Sequence, residues 1–385
     1  MEKIYLDNGA TSYPKAPNIE NIISDYILNS GASVNRSTYS DAFSVEDIVY
    51  ETRELLCKMF NFSTPENVIF TKNITESLNT ILKGFLKDED HVIVSSMEHN
   101  AVMRPLTSLL KNNVNFSKIP CSNKGDLMIE TIENIINDNT KAIVMTHCSN
   151  VCGTIMPIKE VGLICKKHNL YFIVDCAQSA GVIPIDMEEC NIDCLCFTGH
   201  KSLLATTGIG GFLIKDSLNK KVSPLIEGGT GSLSEQELQP SYMPDKFEAG
   251  TPNTIGILAL NTSLKYIESV GIDNIHHKEM ELTNLFIEGL KHIPNITIIG
   301  HENLTNRLAT VSIALSNIDM GEFSYKLSKD YGIHTRCGLH CAPSAHKSLG
   351  TYPEGTIRFS IGYFNTKQEI EYTLNCISIL LKDYD

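Results

Sequence analysis

Phe172-Ile173-Val174-Asp175 is a short apolar run that ends in an acid, and runs of the same kind recur along the first two thirds of the chain. The other runs occupy residues 68–70, 91–95, 142–146, 193–197 and 209–214. Amphipathic stretches separate most of them, and this alternation predicts an α/β fold with a mainly parallel sheet covered by helices on both faces. Ligands of such sheets bind beyond the carboxyl ends of the strands, which is where Asp175 is expected to lie.

The second informative stretch is Phe197-Thr198-Gly199-His200-Lys201. A lysine amine at this place can form a Schiff base with an aldehyde, and a carboxylate at a strand end can keep a pyridine nitrogen protonated. Lys201 and Asp175 are thus the two groups that an enzyme using pyridoxal 5'-phosphate (PLP) needs most, which indicates amino-acid chemistry. Taken singly, each has an ordinary interpretation, a solvated lysine and a helix-capping aspartate.

Length, charge and termini restrict the class of protein. The 385 residues favour two domains, and the apolar content of 42% is sufficient for both cores. The formal net charge is -13 and no basic cluster is longer than a Lys-Lys pair, so nucleic acid and anionic membranes are not expected as main partners. A small anionic ligand would need local positive charge.

The amino terminus shows no basic region followed by an apolar stretch, and no segment approaches a membrane span, so we expect a cytoplasmic protein.

Cysteine is abundant, with twelve residues in the chain. Many lie in apolar surroundings, where a thiol behaves as a small hydrophobic side chain, and we expect them to stay reduced in the cytoplasm. Their spacing contains no paired CxxC modules, so we predict neither a structural zinc nor another metal site.

The polar turn after residues 68–70 is a candidate phosphate site. Asn73, Ile74 and Thr75 would offer backbone amides and a hydroxyl at the start of a helix, where the helix dipole favours an anion. Simple helix capping is the alternative interpretation of Asn73 and Thr75.

The pattern changes after residue 260. Residues 255–270 and 278–292 read as helices, 295–299 and 308–314 as strands, and about 367–383 as a closing helix. We therefore predict a large domain at 15–259 and a smaller α+β domain formed by 1–14 plus 260–385.

Seven motifs, in one order along nearly the whole chain, resemble those of the class V aminotransferase superfamily. They are Tyr5-Leu6-Asp7-Asn8-Gly9-Ala10-Thr11, Met97-Glu98-His99-Asn100, Ser149-Asn150-Val151-Cys152-Gly153, Val174-Asp175-Cys176-Ala177-Gln178, Thr198-Gly199-His200-Lys201, Phe247-Glu248-Ala249-Gly250-Thr251-Pro252-Asn253-Thr254 and Arg336-Cys337-Gly338-Leu339-His340-Cys341-Ala342. Within the superfamily the chain is most similar to the cysteine desulfurases and selenocysteine lyases of the SufS-like group (group II). The resemblance implies fold type I of the PLP-dependent transferases, with a seven-stranded sheet in the large domain.

The resemblance also implies a cofactor site. His99 would stack on one face of the PLP ring, Gln178 would bind its phenolic oxygen and Asp175 its pyridine nitrogen. The phosphate would be held by Thr75, Thr198, His200 and the partner's Thr251. The backbone amide of Ile74, at the helix start described above, would add to this set. Asn150 would lie against the cofactor as well. A homodimer with shared active sites follows from this arrangement.

For the substrate, Arg358 in Thr356-Ile357-Arg358-Phe359-Ser360 is similar to the family arginine that binds the amino-acid carboxylate. A guanidinium matches a carboxylate with two parallel hydrogen bonds. The resemblance also places Asn150, Arg336 and Ala10 at the substrate, although Arg336 has an equally ordinary interpretation as a surface arginine on a loop.

Cys341 distinguishes members of the superfamily, because the pattern Arg-x-Gly-x-His-Cys places the nucleophile last. With Lys201 and His99 as the other catalytic residues, it implies a cysteine desulfurase that converts L-cysteine to L-alanine and carries the sulfur as a persulfide on Cys341. Cys337 is the competing thiol. The alternatives are a selenocysteine lyase, a class V aminotransferase or racemase, and a PLP-binding protein without turnover.

Some positions depart from the family pattern. Lys72-Asn73-Ile74 replaces the usual Arg-Gly-Thr, Gly9 stands where alanine is common, and residues 32–37 lack a histidine that is often found there. Only seventeen positions separate Cys341 from Arg358. We therefore expect an ordered and sheltered thiol, which passes its sulfur or selenium to a dedicated acceptor protein.

Overall fold

A computed structural model describes residues 3–32, 34 and 40–384 of the chain. Most of residues 32–37, where the missing histidine was noted, lie outside the described residues. The strands are β1 Ile4–Tyr5, β2 Val68–Thr71, β3 His91–Ser95, β4 Asn115–Ile119, β5 Thr140–Thr146, β6 Tyr171–Asp175, β7 Cys194–Thr198, β8 Gly210–Ile214, β9 Ile296–Ile299, β10 Thr310–Leu315, β11 Ile333–His334, β12 Arg336–Gly338 and β13 Thr356–Ser360.

The α-helices alternate with these strands. They are α1 Ile19–Asp25, α2 Ser40–Phe60, α3 Ile74–Phe85, α4 Asn100–Leu109, α5 Ile132–Ile135, α6 Ile158–His168, α7 Asp216–Asn219, α8 Thr254–Val270, α9 Ile272–Leu290, α10 Met320–Tyr331, α11 Pro343–Ser348 and α12 Lys367–Leu381. Among residues 3–32, 34 and 40–384, none of these helices is both long enough and apolar enough to cross a membrane.

Within the described residues, seven strands form the large sheet in the order β2-β8-β7-β6-β5-β3-β4. Strands β7, β6, β5, β3 and β4 are parallel to one another, and β8 runs antiparallel to both of its neighbours. The predicted mainly parallel, seven-stranded sheet is confirmed. The apolar runs supply six of the strands, whereas β4 lies at an edge and is too polar and exposed to show as an apolar run.

Both faces of this sheet are buried. Phe172 and Val174 of β6 belong to one hydrophobic cluster, and Ile173 between them belongs to a second cluster on the opposite face. Successive side chains of a strand point to opposite faces, so an almost wholly apolar strand requires cover on both sides. Helices α3 and α4 contribute to the second cluster, and α6 and α8 to the first.

The carboxyl-terminal third of the chain forms a second sheet, in the order β12-β13-β10-β9, while β1 pairs in parallel with β11. Ile4, Leu6, Phe286 and Phe359 share one hydrophobic cluster there, so the amino-terminal segment packs with this part of the chain. Helix α9 begins at Ile272, six residues earlier than predicted, directly after Gly271 with its positive φ of 88°. The boundaries 15–259 and 1–14 plus 260–385 remain a prediction.

Candidate active site

The carboxyl edge of the large sheet positions the residues singled out by sequence. Asp175 is the last residue of β6, and Lys201 follows β7 by three residues. The turn between β7 and β8 is closed by the amide of Gly199, which donates to the carbonyl of Ile209 at 2.9 Å. A Cβ on Gly199 would lie 2.7 Å from Cγ2 of Ile209, so only glycine fits this turn without displacement. The turn fixes the backbone that carries Lys201.

Lys201 and Asp175 influence each other electrostatically. Burial lowers the pKa of the Lys201 amine to about 8, while Asp175 acts in the opposite direction and Arg358 reinforces the lowering. Burial also raises the pKa of Asp175, against a hydrogen bond at 2.9 Å from the amide of Ala177 and the charge of Lys201. An amine with a pKa near 8 has a substantial neutral fraction at physiological pH, as a nucleophile and base requires.

The loop after β1 lies against the residues around Lys201. Nε2 of Gln178 donates to the carbonyl of Gly9 at 3.0 Å, next to Ala10. The carbonyl of His200 accepts from Nζ of Lys15 at 2.9 Å and from Oγ1 of Thr11 at 3.0 Å. Burial lowers the pKa of Lys15 to about 8. These bonds hold Ala10 and Gln178 near the turn that carries the lysine.

Two buried polar atoms lie beside Lys201 without a hydrogen-bond partner among the described residues, Oγ1 of Thr198 and Nδ1 of His200. A buried polar atom without a partner is costly, and a phosphate oxygen would satisfy both. Burial lowers the pKa of His200 to about 4, followed in size by the effect of Lys201, so this ring is neutral and has one N–H to donate. The donor set therefore fits the phosphate ester of PLP, and the Lys201 and Asp175 pair fits its ring.

The start of α3 lies close to this donor set. A Cβ on Gly210, the first residue of β8, would be 2.8 Å from Cα of Asn73 and 2.9 Å from the carbonyl oxygen of Phe197. Asn73 is the helix cap, and its side chain accepts from the amide of Glu76 at 3.0 Å. Capping thus accounts for Asn73, while Ile74 is buried and Thr75 is exposed at the helix start. Thr251 is exposed on the loop before α8.

His99 caps α4, with Nδ1 accepting from the amide of Ala101 at 3.0 Å. Burial lowers the pKa of His99 to about 4, and the charges of Lys201 and Arg358 lower it further. A neutral imidazole that accepts at Nδ1 carries its proton on Nε2. His99 is therefore an uncharged ring suited to stacking, with one donor left.

The turn that carries Cys341 is fixed through its backbone. His340 and Cys341 both have positive φ, 47° and 57°. The amide of Asn100 donates to the carbonyl of Cys341 at 2.7 Å, and Nδ2 of Asn150 donates to the carbonyl of His340 at 2.7 Å. Two bonds, from the first residue of α4 and from the turn after β5, thus hold non-glycine residues in a left-handed conformation that is otherwise unfavourable.

The two competing thiols differ in their surroundings. Cys341 is exposed, whereas Cys337 is half-buried on β12 and packs against the core of the second sheet. Burial raises the pKa of the Cys337 thiol, with a further contribution from Asp319. Cys341 also acts electrostatically on both Lys201 and Arg358, so it shares their site. The expectation of a sheltered thiol is wrong for the single chain, because the chain itself does not cover Cys341.

One aspartate connects the two arginines. Oδ1 of Asp7 accepts from Nη2 of Arg358 at 2.9 Å, and Oδ2 accepts from Nε of Arg336 at 3.2 Å. Nη1 of Arg358 donates to the carbonyl of Asn150 at 3.0 Å. The side chain of Arg358 is 3% exposed and that of Arg336 is 48% exposed. Nε of Arg358 is buried without a partner among the described residues.

Sequence reasoning gave no role to two acids of this site. Asp7 lies in the motif Tyr5–Thr11 and is the counter-ion of Arg358. Glu98 is fully buried and accepts from the amide of Thr146 at 3.0 Å. Burial raises the pKa of Glu98 to about 8. Glu98 lies between Met97 and His99, inside one of the seven family motifs, and this position is the sequence signal that it belongs to the site.

Comparison with known proteins places this site in a family. The Aminotransferase class-V family model matches residues 4–373. A probable cysteine desulfurase of Borreliella burgdorferi is 31% identical over 393 residues, covering 99% of this chain and 92% of that protein. A probable cysteine desulfurase of Staphylococcus aureus is 32% identical over 380 residues, covering 97% of this chain and 91% of the relative.

Two solved structures with the same fold are also cysteine desulfurases. The apo structure of a cysteine desulfurase from Thermococcus onnurineus NA1 has a TM-score of 0.93 and 29% identity, covering 99% of this chain and 95% of that one. A cysteine desulfurase from Escherichia coli, with 24% identity and a TM-score of 0.89 over 99% of this chain and 95% of its own, has the same fold. The chain belongs to the class V aminotransferase family. Within that family its relatives are cysteine desulfurases, and it is an enzyme of this kind.

Proposed function

We propose that the chain is a PLP-dependent cysteine desulfurase, which converts L-cysteine to L-alanine and carries the abstracted sulfur as a persulfide on Cys341. The observation that carries the proposal is an exposed thiol on a turn that is hydrogen-bonded to Asn100 and Asn150, where Asn150 also accepts from Arg358. A transaminase of the same fold needs the lysine but has no use for a thiol at this place. The names of the relatives support the same choice.

The cofactor would be held by the residues that fit it. Lys201 would bind its aldehyde, Asp175 its pyridine nitrogen and Gln178 its phenolic oxygen, with His99 on the ring face. The phosphate would be bound by Ile74, Thr75, Thr198, His200 and the partner's Thr251. PLP supplies, when bound, an electron-withdrawing ring attached to the substrate amine. A homodimer completes the site in this scheme, because Thr251 would come from the second subunit.

Substrate binding and proton transfer then follow from this chain's own groups. Arg358 would bind the substrate carboxylate through Nε. Asn150, Arg336 and Ala10 would also contact the substrate. Once its amine is free and neutral, Lys201 would remove the proton from Cα of the substrate, which its pKa of about 8 favours near neutral pH.

Sulfur transfer would use the Cys341 thiolate. Its sulfur attacks the sulfur of the substrate, the new S–S bond forms, and the substrate's Cβ–S bond breaks with its electron pair passing to the carbon side. Protonation of that carbon gives alanine, so one cysteine and one enzyme thiol become one alanine and one persulfide. No external oxidant is needed. An acceptor protein then removes the terminal sulfur, and the exposure of Cys341 allows its approach.

The test uses the PLP-loaded enzyme, with alanine release from L-cysteine measured for wild type, Cys341→Ala and Cys337→Ala. We expect a loss of about a thousandfold or more for Cys341→Ala, because a nucleophile is removed. Cys337→Ala should stay within a few-fold of wild type, since Cys337 packs in the core of the second sheet. Mass spectrometry should find one added sulfur on the peptide that contains Cys341. Cysteine turnover that survives in Cys341→Ala would refute the thiol attack.

The same variants examine the alternative substrate. A carbon–selenium bond is weaker, so selenium can leave without attack by the thiol. Retained activity of Cys341→Ala on L-selenocysteine, with loss on L-cysteine, would identify dual competence. The appearance of a keto acid in place of alanine would instead identify an aminotransferase.

A further inference from the structure

Lysines that are far apart in sequence converge at the amino edge of the large sheet. They line a cavity of about 570 Å³ that we call the lysine pocket, formed by Lys87, Lys141, Lys220, Lys221 and Lys246. Among the described residues that line it, Asp90 is the only acid. The chain as a whole has a net charge of -13, so the pocket reverses the sign locally.

The positive charge of the lysine pocket is poorly neutralised within the part of the chain that the structure describes. Among the described residues, the carboxylate of Asp90 forms an ion pair with Lys141 alone, at 3.9 Å, and it also accepts from the backbone amide of Lys87 at 2.8 Å; the Lys141 side chain is 43% exposed. The half-buried ammonium of Lys246 donates to the carbonyl and side-chain oxygens of Asn219, at 2.6 and 3.0 Å, instead of to a carboxylate. Ammonium groups gathered in this way repel one another and attract anions.

The walls of the lysine pocket are held by backbone contacts. The amide of Ser223 donates to the carbonyl of Gly84 at 2.9 Å, and a Cβ on Gly84 would lie only 2.1 Å from the carbonyl oxygen of Ser223. The segment after Lys221 is therefore fixed against the end of α3. Tyr171 and Phe85 meet edge to face at 5.3 Å, and Nζ of Lys221 lies 5.2 Å from the Tyr171 ring. The pocket thus combines a fixed wall, an aromatic side and five lysines along its lining.

We propose that the lysine pocket binds a small polyanion that carries two or more phosphate groups. Lysine ammonium groups bind phosphate as point charges, and several of them match a ligand with several negative oxygens. The volume falls within the range of small-molecule sites, roughly 300 to 1,000 Å³. The concave shape favours a small ligand over a nucleic-acid strand, which requires an extended basic groove.

This site is separate from the candidate active site. Asp90 precedes β3, Lys141 lies at the start of β5 and Tyr171 begins β6, whereas Lys201 follows the carboxyl end of β7. Strands of five residues separate the two edges by roughly 15 Å. A ligand of the lysine pocket is therefore not the amino-acid substrate. In the sequence only the pair Lys220-Lys221 is adjacent, and the other three lysines join it through the fold.

The test measures calorimetric binding of inorganic pyrophosphate and of ATP to the PLP-loaded enzyme at low salt, with the cofactor occupying the phosphate site near Lys201. The double variant Lys220→Gln with Lys221→Gln removes two charges from the lysine pocket. The matched control removes the other Lys-Lys pair, Lys166 and Lys167, on the exposed side of α6. We expect one saturable site per chain, with affinity falling about tenfold or more in the pocket variant and less than about twofold in the control.

The outcomes separate the possibilities. Equal binding of pyrophosphate and ATP supports recognition of phosphate alone, and preference for ATP supports a nucleotide that also contacts Tyr171. The proposal is overturned if neither probe binds at millimolar concentration, if both lysine pairs weaken binding equally, or if a short RNA binds while pyrophosphate does not. Unchanged cysteine turnover in the pocket variant verifies that it is folded, and binding lost from such a folded variant identifies the pocket as the site.

Discussion

The two edges of the seven-stranded sheet differ in how their charges are matched. At the carboxyl edge, Lys201 is opposed by Asp175, and Arg358 is paired with Asp7. At the amino edge, the described residues that line the lysine pocket include five lysines and one acid, Asp90. At the carboxyl edge, positive and negative side chains are therefore paired, and hydrogen-bonding atoms such as Nε of Arg358 are held in fixed orientations. At the amino edge, positive charge is in excess.

One lysine at each edge illustrates this difference in charge matching. Burial lowers the pKa of both Lys201 and Lys246. Lys201 faces a carboxylate on a strand end, whereas Lys246 faces the carbonyl and amide oxygens of Asn219. Burial thus acts on both lysines, but Lys201 lies opposite a carboxylate and Lys246 does not.

The largest effect should come from Lys201→Ala. It removes both the cofactor-binding amine and the base, so we expect alanine release to fall by about a thousandfold or more. Borohydride treatment should fix the cofactor to the Lys201 peptide of wild type but not of the variant. Pyrophosphate binding should stay within about twofold of wild type, because the lysine pocket lies at the other edge. A parallel loss of both properties would show that the two edges are one site.

Much of the fold could be predicted from the sequence, because buried strands are recognised by their own composition. The six apolar runs are strands of the large sheet, and helix α8 was predicted within one residue. Strand β4 was missed because an edge strand of residues such as Asn115, Ser117 and Lys118 carries no apolar signal. Helix α2, which packs against α8, was also not predicted.

The candidate site was predictable where a residue sits in a local motif. Lys201, Asp175 and Cys341 each have such a context, and the structure places them in one electrostatic neighbourhood. Asp7 pairs with Arg358 across 351 positions, and nothing near Asp7 in the sequence specifies that contact. The lysine pocket was missed for the same reason, because three of its five lysines are isolated in the sequence.

The next prediction concerns the stability of the cofactor-free protein as a function of pH, measured by urea unfolding. Most of the groups that titrate lie at the carboxyl edge. Burial lowers several histidine pKa values from 6.5. The five large shifts take that of His340 to about 2 and those of His99, His147, His200 and His346 to about 4. Between pH 6.5 and 4 these histidines bind protons in the unfolded chain but remain neutral in the folded chain. The free energy of unfolding therefore falls as the pH is lowered.

Glu98 and Glu279 act in the opposite sense. Burial raises their pKa values from 4.5 to about 8, so the folded chain keeps protons that the unfolded chain loses, and stability falls as the pH rises to 8. We expect a maximum of the urea midpoint near pH 6.5, with changes of a few kcal/mol. Glu279→Gln should reduce the loss between pH 6.5 and 8.

A smaller effect is expected for Asp7→Asn. The variant leaves the buried guanidinium of Arg358 without its carboxylate, which should cost about 3 kcal/mol of unfolding free energy in urea titrations. The control is Arg336→Gln, which breaks the pair of the same aspartate with a 48% exposed partner and should cost about 0.5 kcal/mol or less. Equal costs for the two variants would contradict the view that the carboxyl edge depends on matched buried charge.

The smallest effect concerns the close packing beside Arg358. A Cβ on Gly9 would lie 2.7 Å from Oγ of Ser360 and 3.3 Å from Cζ of Arg358, so Gly9→Ala should cost about 1 kcal/mol in urea unfolding. Oγ of Ser360 is buried without a partner among the described residues, so Ser360→Ala alone should be nearly neutral. In the Ser360→Ala background most of the cost of Gly9→Ala should disappear, because the nearest atom has been removed. An equal cost in both backgrounds would mean that the hydroxyl is not what excludes alanine at position 9.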